Sequence, residues 1–545
     1  MITAVAGTLN TGDVLADGST TDNDVLNATM TSGAVEAPSL TNIETINLDV
    51  KTGGSGLNMG SVTGAKQVNV TTDVAASLNS VATATAPKIG LTGSGNLTVG
   101  LNNLAGSAAT NSADVLNVKL DGAAATATAV PTLTLNNGGA GTEVLEVLNI
   151  ESAGTAKNTV TVATTNIQAI GKTVVTGATD LELRGAAATF NNSALDASAH
   201  TGVMTVRADF NGAGALIGLN AEKFTGVDAY VVTDSASATT DAFGLYNIAT
   251  GSTVRVADDF TLAGANSIIT VTGAATNAAD SLTVNLQNRA ATATDVDLTG
   301  LTVGNVENIT ISSSGAPKTG AAAAQQNSIG ALTANALQNL VLTGDSNLAV
   351  TLTAGSITAA NTSNITIDGS AMTGQLVFNA GNVANNAGTR GLTIKGGTGN
   401  DQLTGSSTVA VKNIFDLSAG GNDRVTLAVG DTNDEIIGFA NGDTLALGSV
   451  AGGFTNGLSS AVINAAGQAS IEAAADVGAA ATAAAVAAGG LAVNEALLFS
   501  YQGNQYIFMN EDTANAYDAA TDAVVKVTGM SATTAFDAGT FLFAV

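Results

Sequence analysis

Ile43-Glu44-Thr45-Ile46-Asn47-Leu48 is the stretch on which the reading of this chain turns, because it returns. It reappears as Leu145-Glu146-Val147-Leu148-Asn149-Ile150 and as Val306-Glu307-Asn308-Ile309-Thr310-Ile311. A looser copy is Leu337-Gln338-Asn339-Leu340-Val341-Leu342. Each alternates apolar and polar residues, the pattern of a strand with one buried face. The first three copies follow an Asp-x-Leu, at Asp24 to Leu26, Asp114 to Leu116 and Asp280 to Leu282. The gap from that Asp to the Glu differs each time: Asp24 to Glu44, Asp114 to Glu146, Asp280 to Glu307. A constant strand motif at variable spacing predicts a parallel β-helix, whose coils stack strand on strand while the loops between them vary. A string of β-sandwiches would also show many short strands. The absence of Trp favours the solenoid, whose narrow core needs few large side chains.

Similar alternation surrounds these copies, at Leu116–Leu120, Leu282–Leu286 and Ile365–Ile367. At roughly 20–25 residues per coil, residues 1–390 would make about 15–20 coils. Composition agrees: 11% of residues are charged, 3% are aromatic, 63 are Gly and only four are Pro. Within the motif, alternation places the Glu outward beside an inward Ile, on a solvated strand face, with calcium coordination or a lattice contact as the second role.

The charge balance excludes several functions. Forty-four acidic residues against 17 basic ones give a net charge of −27. Nucleic acid is therefore not expected as a partner, since phosphates need clustered Lys and Arg. With no Cys there are no disulfides and no thiolate chemistry. The single His, His200, cannot build a His-Glu-x-x-His zinc site and reads as a surface-loop residue. No Gly-x-Ser-x-Gly elbow or phosphate loop is present, so the chain is not expected to be an enzyme. No apolar run is long enough for a membrane span. The first residues lack the basic and apolar regions of a conventional signal peptide.

A second motif begins at Gly396: Gly396-Gly397-Thr398-Gly399-Asn400-Asp401-Gln402-Leu403-Thr404. It fits the nonapeptide G-G-x-G-x-D-x-U-x, with U a large apolar residue, at every fixed position. A degraded copy at 418–426 keeps Gly421, Asn422, Asp423 and Val425. Asp431 to Ile436, with Asp434, is a weaker echo. The next stretch, Asp434 to Leu445, resembles the D-x-I-x-D-F-x-x-G-D-x-L segment that follows the β-roll in RTX proteins, and includes Asp443. It departs from that pattern at Gly438, where the family has Asp.

The C-terminal region completes the resemblance. Residues 462–488 are Ala-rich and predict one or two short helices ended by Gly489-Gly490. Residues 496–508 predict a hairpin, residues 522–528 a further strand, and the chain closes on Phe541-Leu542-Phe543-Ala544-Val545. Together these features resemble type I secreted RTX-type bacterial surface-layer proteins.

The resemblance implies an all-β chain: a β-solenoid over 1–390, an RTX-like β-roll over 391–450, and a mixed cap with an export signal over 451–545. It implies Ca2+ as cofactor, on the order of one to three ions, held by Gly397, Gly399, Asn400, Asp401, Gly421, Asn422, Asp423, Asp434 and Asp443. It also implies an extracellular, cell-surface location and self-assembly into a lattice or filament. A cell-surface polysaccharide is a further expected partner, and a calcium-dependent adhesin or biofilm-matrix protein is the alternative function.

Overall fold

The computed structural model describes residues 1–102, 104, 114–126, 130–138, 143–191, 193–210, 217–233, 242–257, 266–277, 279–288, 295–315, 327–353, 363–383, 391–409, 411–440, 442–447, 459 and 462–529. The chain is 54% strand and 7% helix and forms a parallel β-solenoid of about 14 turns. That is fewer coils than expected, because the loops lengthen each turn: Asp114 and Glu146, well separated in sequence, occupy equivalent places on successive coils. Two compact units are formed, one of residues 1–211 with 217–236 and 245–252, the other mainly Thr253–Val545.

In the first unit one sheet stacks Val25–Met30, Thr45–Val50, Gln67–Thr72 and Lys88–Thr92 in parallel, and continues to Phe224–Thr225. Leu26, Ile46, Val68 and Ile89 fall in one register column, and all are fully buried. On the outer face Asn27, Asn47 and Asn69 form a ladder. Asn47 Nδ2 donates to Asn27 Oδ1 at 2.7 Å, and Asn69 Nδ2 donates to Asn47 Oδ1 at 2.8 Å. His200 ends the strand Ala194–His200, half-buried, with Nδ1 3.3 Å from the Thr176 carbonyl, so it is not the loop residue expected.

The second unit repeats the plan. Leu282, Ile309, Leu340, Ile367, Ile394, Phe415, Ile436 and Val527 stack in one continuous column. Every member is buried. Each such side chain contributes roughly 1.5–3 kcal/mol by leaving water. Another sheet carries the column Val350, Phe378, Leu403, Val425 and Leu445. Both sheets run across residue 390 without a break.

At the C-terminal end the expected helices are Ala465–Glu472 and Val477–Ala487. Asn464 and Asp476 cap their first turns, each side chain accepting a backbone N–H at 2.8 Å. Gly489 and Gly490 end the second helix. The hairpin pairs Glu495–Tyr501 with Asn504–Asn510, turning at Gln502-Gly503. Small Ala480, Ala481, Ala484 and Ala485 let the helix pack closely on Phe499, Tyr506 and Phe508. Strand Ala523–Thr528 pairs parallel to Glu435–Ile437 and antiparallel to the hairpin. The last coil is thereby covered, as a solenoid end requires. The terminal Phe541–Val545 lies outside the described residues.

Candidate cation sites on a carboxylate column

The two sequence motifs occupy one structural position. Asp24, Asp280, Glu44 and Glu307 each stand immediately before a parallel strand, at the corner where the chain turns into the sheet. The carboxylate of the later coil accepts the backbone N–H of the acidic residue on the earlier one. Asp24 donates to Glu44 at 2.9 Å, Asp114 to Glu146 at 3.0 Å, and Asp280 to Glu307 at 2.9 Å. Glu44 and Glu307 are only 2% and 6% exposed, so the solvated placement expected for this Glu is wrong at both. Glu146, inside the longer strand Val144–Ala153, is half-buried.

Asp401, Asp423 and Asp443 hold an analogous corner on another sheet, preceding Gln402–Thr404, Arg424–Leu427 and Thr444–Leu447. Leu376 donates its N–H to Asp401 Oδ1 at 2.8 Å, Asp401 to Asp423 Oδ1 at 2.9 Å, and Asp423 to Asp443 Oδ1 at 2.8 Å. Gly397 N–H reaches Asp401 Oδ2 and Ala440 N–H reaches Asp443 Oδ2, each at 2.7 Å. Five of the six carboxylate oxygens thus accept a backbone amide, and Asp423 Oδ2, buried, has no partner. Burial pushes the Asp423 carboxyl up to about 7, with the charges of Asp401 and Asp443 adding to it. Burial also raises Asp401 and Asp443, against the pull of their amide hydrogen bonds.

The glycines serve close stacking. A Cβ on Gly399 would sit 2.6 Å from the Gly374 carbonyl oxygen of the coil below, and one on Gly421 would strike the Gly399 carbonyl. Asn422 N–H donates to Asn400 Oδ1 at 2.9 Å, linking two successive exposed turns. Gly438, where the resemblance would place Asp, has φ +76°, and a Cβ there would meet the Ser418 backbone at 2.9 Å. The missing carboxylate is therefore a backbone requirement.

Asp434 is not in this column. It lies half a coil away, before Glu435–Ile437 on the other sheet, and accepts Asn413 N–H at 2.7 Å and Asn413 Nδ2 at 3.1 Å. Burial, then the neighbouring Asp431 carboxylate, pushes it well above the usual range. Asp431 is also raised by burial, and its Oδ2 has no partner.

Calcium takes six to eight oxygens. In the Asp401–Asp443 column only Asp423 Oδ2 is uncommitted, so these residues fit a calcium ion poorly: they form a hydrogen-bonded spine. A looser group is Asp17, Asp22 and Asp24, which bring one carboxylate oxygen each within 4.8 Å of one another; Asp22 is exposed and the other two half-buried. Of the three only Asp24 belongs to a repeated motif, the Asp-x-Leu; the group's own signal is the crowding of three aspartates into one Gly/Ser/Thr loop. Among the described residues no helix is long and apolar enough to cross a membrane. No family model matches the chain, and no curated protein matches it either.

Proposed function

We propose that this chain is an extracellular structural protein of the bacterial cell surface, which assembles with copies of itself into a calcium-dependent layer or filament. The observation that carries the reading is the repetition of outward Asn and Thr side chains at strand spacing, as in the Asn27–Asn47–Asn69 ladder. A face of this kind offers the same contact many times over, which suits lattice packing better than recognition of one small substrate. The net charge of −27 opposes close approach of copies, and divalent cations lower that cost. In this reading calcium acts at the loop carboxylates of Asp17, Asp22 and Asp24, of which Asp22 is exposed, rather than inside the Asp401–Asp423–Asp443 spine. A cell-surface polysaccharide is the second partner, and the chain is not an enzyme. Electron microscopy of the full chain in calcium and in chelator tests the proposal. Ordered arrays or filaments that disperse in chelator are expected, and soluble monomers indifferent to chelator would overturn it.

A further inference from the structure

The first unit carries a concavity of about 260 Å³ on the outer face of four successive parallel strands. Arg184 on Leu181–Ala186 and Arg207 on Met204–Asp209 are direct register partners there, and both line the hollow. Neighbouring strands lie about 4.8 Å apart, and like charges directly opposite each other are unfavourable. The chain thus places two of its 17 basic residues where they repel. Part of the charge is balanced locally. Arg184 Nη2 and Lys157 Nζ reach the two oxygens of Glu182, at 2.7 and 2.6 Å. Asp209 lies on the rim. Glu182 thus carries both Lys157 and Arg184, while Arg207 and Asp209 line the hollow beside them.

We propose that this hollow binds a uronic acid residue of an anionic polysaccharide. Guanidinium groups present paired N–H donors that match a carboxylate. Asp209 and the hydroxyls of Thr161 and Thr233, which also line the hollow, supply acceptors and donors for sugar hydroxyls. Asp209 further discriminates by charge: it repels a bare sulfate or phosphate, whereas a ligand with a carboxylate at one end and hydroxyls at the other meets Arg and Asp in turn. The volume lies below the roughly 300–1,000 Å³ of pockets that take drug-sized ligands, a size for one sugar ring. An acidic peptide fits less well, because these strands are paired on both sides and offer no edge for a peptide to join.

This gives the polysaccharide partner proposed above a chemistry and a place. Its test uses dissolved sugars, so it stands or falls apart from the assembly test. Isothermal titration of the full chain with glucuronate, glucose and inorganic sulfate reads it directly. Glucuronate should bind at least tenfold more tightly than either of the others, and Arg207→Gln should weaken it at least tenfold. Asp209→Asn, which removes the rim charge, should narrow the gap between glucuronate and sulfate, and it decides the matter if Arg207→Gln does not fold. Glucuronate binding no better than glucose or sulfate, binding untouched by Arg207→Gln, or discrimination untouched by Asp209→Asn overturns the assignment.

Discussion

Asp423→Asn should stabilise the second unit at pH 8 and leave it nearly unchanged at pH 4. Only Oδ1 of Asp423 is used, accepting the Asp401 N–H at 2.9 Å, and an asparagine oxygen keeps that bond. The amide nitrogen then occupies the place of Oδ2, which has no partner. The substitution removes a buried charge without removing an acceptor that the fold needs. An aspartate in the unfolded chain titrates near 3.9, whereas here it titrates at about 7. The folded state therefore binds the extra proton between those values. Stability from this group is intact below about pH 4 and is lost as pH rises toward 7. That displacement corresponds to about 4 kcal/mol at most. Because solenoids open locally, amide hydrogen exchange on peptides covering residues 402–427 is the measurement of choice. In chelator at pH 8, the wild type should exchange faster than Asp423→Asn, and the difference should vanish near pH 4. An Asp423→Asn chain that exchanges faster than wild type at pH 8 would show that the carboxylate is held by a favourable partner and would refute the reasoning.

Two further predictions concern how successive coils stack at their corners. Glu307→Ala strands the Asp280 N–H in a buried corner and should cost about 1–3 kcal/mol, whereas Glu307→Gln keeps an acceptor and should cost less; chemical denaturation of the two variants compares them. Gly399→Ala forces a Cβ to 2.6 Å from the Gly374 carbonyl, so it should open the coils around residues 374–421, seen as lost exchange protection there while the first unit is unaffected.

The solenoid was legible because its signal is local and repeated. Leu282–Leu286 alternates, and in the structure Leu282 begins the buried column that ends at Val527. The uneven gaps between the Asp-x-Leu and the Glu motif are true coil lengths, since Leu26, Leu116 and Leu282 pair with Ile46, Leu148 and Ile309. The helices and hairpin at the C-terminus followed from their own caps and turn. What escaped depends on the corners. Alternation assigns Glu44 to the outside only if the strand continues through it, but the strand begins at Thr45, and at the bend the side chain folds inward. Likewise, the short run from Asp423 to Asp434 crosses to the opposite sheet, which one-dimensional spacing does not reveal. The arginine pair was invisible for the same reason: Arg184 and Arg207 are a full coil apart in sequence and become neighbours only through strand register.

The carboxylate corners share a direction. At Asp24–Glu44, Asp280–Glu307, Leu376–Asp401, Asp401–Asp423 and Asp423–Asp443 the earlier coil donates and the later coil accepts. At these corners each coil supplies the amide and its successor supplies the carboxylate that caps it. Ala523–Thr528 closes one sheet by sending Val524 and Lys526 N–H groups back to the carbonyls of Asp431 and Asp434. A designer shortening this protein would remove whole coils from the middle and keep that closing strand.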